Sequence, residues 1–251
     1  MIISIIKLKE YDAKGGPTKE IMGGDGFMRT RTRSGRFIIY SIEKHVSRGR
    51  YNMYSGIPWG TPIRERNKMV EVKQNSSWLP LSSVSKPWKE FSDSSALSSL
   101  KSDANEYGFT DDKTKDLLPN TWVFNDFGHI SVKYFEDKNM NSRLDKNESI
   151  LGDFIHTTPG NEGATYYNKT HTNSKKENDL QESHGCIHVM PDDIDEMITK
   201  EYIKKGNVIQ IHSYEEKLIP SSIKISKRIS QYEAHFFPGL YKLVIYKAPL
   251  R

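Results

Sequence analysis

Short runs of β-branched and aromatic residues, closed by glycine-rich turns, set the limit on what this chain folds into. They alternate through residues 1–72, and "GRFIIYSIEKHV" and "YNMYSGIPWG" are the clearest examples. Runs this short, bounded by turn residues, predict strands. The opening "MIISIIKLKEYDAKGG" predicts a first strand, with an apolar run of only five residues after Met1. It carries neither a basic leader nor a small-residue cleavage site, so no secretory signal is expected. No apolar run approaches the roughly 18 residues that a membrane-spanning helix needs, so no membrane span is expected.

Residues 76–120 change character. They are serine-rich and polar with scattered Trp and Leu, and predict an excursion from a β core with short helices. Strand patterns resume at "NTWVFNDFGHISVKYF" and "SILGDFIHTT". One helix is predicted over "PDDIDEMITKEYIKKG". Asp192 or Asp193 can cap it, and acidic side chains in a first turn suit the helix dipole. Ile194, Met197, Ile198 and Tyr202 share a face, and Lys204, Lys205 and Gly206 mark its end. "NVIQIHSY" predicts a strand, and "HFFPGLYKLVIYKAP" a hairpin hinged at Pro238-Gly239. The expected fold is mostly β, a β-rich α+β arrangement with one or two helices. One main domain is expected over 1–215, with a polar insertion at about 76–120, and a β-hairpin appendage over 216–251.

The chain has 37 Lys and Arg against 32 Asp and Glu, a formal charge of +5. A mixed, solvated surface accounts for that balance; attraction to a polyanion such as acidic lipid or anionic wall polymer is the alternative. No nucleic-acid-binding motif is visible, so no nucleic-acid partner is expected.

"ESHGCIHVMPDD" holds the one cysteine, Cys186. A single cysteine forms no internal disulfide. Cysteine thiolates are the attacking species, and a nearby histidine activates a thiol by taking its proton. His184 and His188 lie two residues either side, a spacing that puts all three on one face of a strand. Gly185 permits close approach of a substrate, and its N–H is a candidate oxyanion donor. An inert buried cysteine is the competing reading. Structural zinc is disfavoured, because there is one Cys and no C-x-x-C.

"SHGCIHV" resembles the signature of the L,D-transpeptidase catalytic-domain (YkuD-like) family, in which Ser/Thr-His-Gly-Cys carries the nucleophile. "DFIHTTPG" is similar to that family's upstream histidine segment and places the histidine at His156. "TRSGRF", Thr32 to Phe37, resembles a third family feature, with Arg33 where the family has proline. His188 stands where the family often has Asn or Arg. Between His156 and Cys186 lie 29 residues, more than is common, and "NEGATYYNKTHTNSKKENDLQE" is expected as a mobile polar flap.

The resemblance implies an L,D-transpeptidase-like β-sandwich and acyl transfer on peptidoglycan tetrapeptide stems. Cys186 would attack the carbonyl before the terminal D-alanine, and an amine or water would resolve the thioester. His156 would be the base, His184 would shape the pocket, and N–H groups of Gly185 and Cys186 would hold the oxyanion. Ser183, His188 and Thr157 fall on the substrate side, although Ser183 reads equally well as a turn residue. Hydrolysis by an L,D-carboxypeptidase or endopeptidase is the alternative outcome of the same acyl-enzyme. A non-catalytic calcium- or wall-binding module is the rival of another class. The substrate places the work in the cell envelope or periplasm. Without a recognisable signal the expectation is a non-classical delivery route, as for an antibacterial effector, with an immunity or secretion-apparatus protein as partner.

"DKNMNSRLDKNE" puts Asp137, Asn139, Asn141, Asp145 and Glu148 at positions 1, 3, 5, 9 and 12 of an EF-hand-type loop, with the Arg143 carbonyl at position 7. These are hard oxygen donors suited to structural calcium. Ser142 replaces the usual glycine, and the preceding "HISVKYFE" predicts a strand, so a polar β-turn is the alternative. No cofactor is expected for the chemistry itself.

Overall fold

The computed structural model describes residues 2–24, 26–44, 46, 56–111, 113–171 and 173–249. Residues 51–55 of "YNMYSGIPWG" and His45 of "GRFIIYSIEKHV" lie outside them. The protein is mostly β. In chain order the elements are β1 (Ile3–Lys14), β2 (Ile21–Met22), β3 (Met28–Arg29), β4 (Gly35–Glu43), β5 (Ile63–Arg66), β6 (Met69–Gln74), β7 (Ser77–Pro80), α1 (Leu81–Val84) and α2 (Asp93–Tyr107). There follow β8 (Ser131–Glu136), β9 (Ile150–His156), α3 (Pro159–Thr170), β10 (Ile187–Val189), α4 (Pro191–Thr199), β11 (Val208–Ile211), β12 (Ser222–Ile225), β13 (Tyr232–Phe237) and β14 (Lys242–Lys247). Among the described residues no helix is long and apolar enough to cross a membrane.

Contacts divide the chain into two compact units: Met1–Glu43 with Val132–His156 and Leu180–Arg251, and Lys44–Ser131 with Thr157–Asp179. The first unit is built on one mixed sheet in the order β10-β9-β8-β4-β11-β13-β14-β1-β12. A further pairing of β10 with β1 closes its strands, β12 excepted, into a ring. β1 makes this possible by its length. Its first residues pair with β12, its middle with β14 across a register shift between Lys7 and Lys9, and Ala13 and Lys14 with Val189 and His188 of β10. β9–β10 and β11–β13 are parallel pairs.

The segment 216–251, expected as an appendage beyond a domain ending at 215, supplies β12, β13 and β14. The predicted hairpin forms: β13 and β14 are antiparallel and joined through Pro238–Leu240. They lie inside the sheet between β11 and β1, and their central residues are buried. That burial explains the near-continuous apolar text of "AHFF" and "LVIY", since a strand covered on both faces shows no polar alternation. Glu233 of β13 is buried with them. It is held by Arg36 of β4 through two bonds of 2.9 and 3.0 Å, and by the His235 ring at 3.3 Å. Burial pushes its carboxyl up, but His235 and Arg36 together outweigh that and hold it below the usual range.

The second unit has its own core. β5, β6 and β7 form an antiparallel sheet, and Ile63, Val72, Leu81, Trp88, Leu97, Leu100, Trp122 and Phe124 are buried together. α2 falls in the region read as a polar excursion with short helices, and it is 15 residues long. The Ser92 hydroxyl accepts the Ser95 N–H at its start, Gly108 closes it at φ 97°, and Ala96, Leu97, Leu100 and Ala104 form its buried stripe. α3 occupies the first half of the segment expected as a mobile flap. Thr158 caps it by accepting the Asn161 N–H, and Pro159 fills the first helical position, where no N–H is needed. A Cβ on Gly163 would lie 2.1 Å from the Tyr107 carbonyl, so this glycine is what lets α3 close on the end of α2.

α4 is shorter than predicted, ending at Thr199 rather than near Gly206. Pro191 starts it, Asp192 and Asp193 sit inside its first turn, and neither is the cap, which is Met190. Ile194 and Met197 are buried as expected.

Leu100 is fully buried on α2. Leu100→Ala should lower the stability of the second unit by about 2–5 kcal/mol, the usual range for a buried leucine truncation. Urea unfolding followed by tryptophan fluorescence, which Trp88 and Trp122 report, checks it.

Candidate active site

Cys186 stands one residue before β10, at the end of a loop tied to the first strand. The Gly15 carbonyl accepts the Ser183 N–H at 3.1 Å. The Ser183 hydroxyl, in turn, donates to the Cys186 carbonyl at 2.6 Å and accepts the Gly185 N–H at 3.0 Å. Ser183 is 2% exposed, so its role is to brace the turn. The Gly185 N–H, a candidate oxyanion donor on sequence grounds, is therefore committed to Ser183. Gly185 itself has φ 127°, and a Cβ there would lie 2.9 Å from Asp153 Oδ1 and 3.1 Å from Thr30 Oγ1.

The sulfur of Cys186 accepts the Phe154 backbone N–H at 3.4 Å. An N–H aimed at sulfur complements the charge of a thiolate. Phe154 belongs to β9, and two residues further on that strand comes His156. The parallel register sets His188 of β10 beside His156, with Ile187 beside Ile155. Alternation along a strand then gives Cys186 and His188 one face of their segment, and Phe154 and His156 the same face of β9. The two imidazoles meet edge to face, with centroids 4.7 Å apart.

His188 was expected on the substrate side, and the structure buries it against His156. Its Nδ1 lies 2.8 Å from the Gln181 carbonyl, a bond that fixes the N–H on that nitrogen. Burial, with smaller contributions from His184 and Arg29, pulls its pKa down to about 4 against the support of Gln181. A neutral His188 thus packs on His156 and orients it. Thr157, also expected on the substrate side, is fully buried, and its hydroxyl donates to Glu162 in the second unit. For His184 the fixed point is its carbonyl, which accepts the Thr30 hydroxyl at 2.9 Å.

Several residues at the site carried no sequence signal of their own. Thr32 is buried, and its hydroxyl accepts the Gly16 N–H and reaches the Cys186 carbonyl at 3.4 Å. The Tyr214 hydroxyl accepts the Thr32 N–H and donates to the Gly16 carbonyl. Asp153 is raised by burial and lowered in part by Arg33, the residue that stands in place of the family's proline. Tyr134 is wholly buried against Phe37, and its phenol is raised by burial and by Asp153 and Cys186 nearby. Thr32 lay inside a quoted motif and Asp153 inside another, but neither residue type announces a role without the fold.

The loop 137–148 forms a closed turn. The Asp137 carboxylate accepts the N–H groups of Asn141 and Ser142, the Asn139 and Asn141 side-chain oxygens accept N–H groups two residues on, and Glu148 accepts those of Lys138 and Asp145. Ser142 takes φ 62°, the left-handed conformation that the usual glycine supplies. Among the described residues no three His, Cys, Asp or Glu side chains gather as a metal-holding group.

Compared with known protein families, curated proteins and solved structures, the chain matches none of them.

Two predictions follow from this geometry. Gly185→Ala forces a Cβ into Asp153 and Thr30 at a strained φ, so it should cost about 1–3 kcal/mol and displace the thiol. Chemical denaturation and the rate of thiol labelling by iodoacetamide measure the two effects. The second concerns acid. With its folded pKa near 4 against 6.5 unfolded, His188 binds its proton more readily in the unfolded chain. Stability is therefore intact above pH 6.5 and lost as pH falls toward 4, by about 3 kcal/mol from this residue. Buried His235 and half-buried His212, both lowered, act in the same direction. Urea melts at several pH values should show a shallower acid slope in His188→Gln.

Proposed function

We propose that the protein is a cysteine-dependent acyl transferase of the L,D-transpeptidase type, acting on peptidoglycan tetrapeptide stems. The observation that carries this reading is the N–H of Phe154 on the Cys186 sulfur, two residues before His156 on the neighbouring parallel strand. A structural cysteine has no need of that donor, nor of a histidine pair beside it. The resemblance of "SHGC" and "DFIHTT" to the family supplies the substrate class.

In this mechanism His156 takes the thiol proton. The thiolate attacks the carbonyl joining the third residue, a diamino acid, to the terminal D-alanine. The tetrahedral intermediate collapses with cleavage of the C–N bond, the imidazolium returns its proton to the leaving amine, and a thioester remains. An acceptor amine then attacks the thioester, His156 takes its proton, and the thiol is restored. His188 holds His156 in place, while Ser183, Thr30 and Thr32 hold the loop that carries the nucleophile.

Cys186→Ala should abolish product formation from tetrapeptide stems and remove the mass added to the intact protein by a carbapenem. His156→Ala should cost several orders of magnitude, because nucleophile and base act as a unit. Liquid chromatography with mass spectrometry reads cross-linked, exchanged and trimmed products separately. Unchanged turnover in Cys186→Ala would overturn the assignment.

We also propose that the loop 137–148 takes calcium through Asp137, Asn139, Asn141, Asp145, Glu148 and the Arg143 carbonyl. The support is Ser142, which adopts the left-handed turn demanded at the one position where the sequence departs from the pattern. Bound calcium would brace the connection between β8 and β9, the strand that carries His156. At a hundredfold excess over Kd it would add about 2.7 kcal/mol of stability. Thermal melts with calcium and with chelator should differ, and Asp137→Ala should remove the difference; identical melts would leave a polar turn.

A further inference from the structure

The second unit contains a cavity of about 550 Å³ lined in part by Trp59, Phe109, Thr110, Glu162 and Tyr166. The rings form a row, with centroids 5.9 Å apart from Trp59 to Phe109 and 6.0 Å from Phe109 to Tyr166. Glu162 is the one charged side chain among the described lining residues. Its carboxylate is held lopsidedly. Oε1 accepts the His129 N–H at 3.1 Å, the His129 ring Nδ1–H and the Thr157 hydroxyl, and no bond among the described residues falls on Oε2. Thr110, 6% exposed, lines the same cavity, and its hydroxyl has no hydrogen-bond partner among the described residues.

We propose that this cavity is a binding site for a primary ammonium ion on a short aliphatic stem, as in a lysine-type side chain. A carboxylate fixed through one oxygen presents the other without rotating, so the cost of ordering it is already met by the fold. An ammonium brings three N–H donors and no acceptor, which suits a carboxylate oxygen. Aromatic faces attract such a cation within about 6 Å of a ring centroid, and they cover its methylene stem as well. An anionic ligand would meet Glu162 with like charge, and a purely apolar one would desolvate a carboxylate for no return. The inference needs nothing of Cys186.

The test uses the full chain carrying Cys186→Ala, at about pH 8, where an ordinary imidazole is neutral. Nα-acetyl-lysine amide and Nα-acetyl-norleucine amide are titrated separately, with tryptophan fluorescence and calorimetry as readouts. They differ in the side-chain ammonium. The lysine amide should bind with a Kd of about 1 mM or tighter, and the norleucine amide at least about tenfold more weakly, a difference of about 1.4 kcal/mol. Glu162→Gln should cost a similar factor or more. Because that change also disturbs Thr157 and His129, Tyr166→Ala, at a residue that is 49% exposed, serves as the second variant and should weaken binding severalfold. Equal affinity for the two amides, no saturation by the lysine amide up to about 50 mM, or unchanged affinity in both variants would overturn the proposal. None of these outcomes bears on carbapenem acylation of Cys186 in the unmutated chain, so the two readings fail separately.

Discussion

The pairing of Ala13 and Lys14 with Val189 and His188 is the contact on which the first unit depends. β10 is three residues long, too short to hold a position with one neighbour. With β9 on one side and β1 on the other it is pinned from both edges, and the ring closes. The same stretch of β1 runs directly into Gly15 and Gly16. A Cβ on Gly16 would lie 1.8 Å from the Thr30 carbonyl, so the backbone passes there at a distance only glycine allows. Gly15 then accepts the Ser183 N–H, and Gly16 bonds Thr32 and Tyr214. The loop bearing Cys186 is therefore positioned by the first strand of the chain.

The charged chain inside the first unit is tolerated because each of its members has a partner. Glu233 meets Arg36 and His235, and His235 meets His212 at 3.0 Å, which meets Glu216 at 2.8 Å. Such a chain adds little net stability, since desolvation offsets most of the attraction, yet removing one member leaves a charge buried without a partner. It links β4, β13 and the end of β11, three strands at the centre of the sheet order. The candidate site follows the same logic with a different result. His188 is buried without a carboxylate, so it stays neutral and acts by shape on His156.

The chain leaves the first unit twice, after Glu43 and after His156, and each excursion contributes to the second unit. The second departure begins at the residue following the candidate base. Thr157 and Glu162, close in sequence, bind each other there, and the turn of α3 that holds Glu162 is started by Thr158 and Pro159. A segment that reads as polar and loose is thus fixed by a capping hydroxyl, a proline and a glycine contact with α2.

The sequence by itself determined the mostly β character, the presence of α4, the hairpin at Pro238–Gly239 and the motif around Cys186. Those features are local: strand-type runs, a proline with acidic residues in a first turn, and a short string of residues with distinctive chemistry. It misjudged α2 and α3 because their composition is serine-rich or polar and their apolar stripes are narrow, so tertiary burial of Leu97, Leu100 and Ala164 decides them. It placed the end of α4 too late, since the lysine and glycine signals come after the left-handed turn at Glu201. The roles of Ser183, His188 and Thr157 were set by the fold as well. Which N–H reaches the sulfur, which imidazole is buried and which hydroxyl is already engaged depend on strand register and on contacts between residues far apart in the chain. Local chemistry names the candidate nucleophile; only the closed sheet determines what surrounds it.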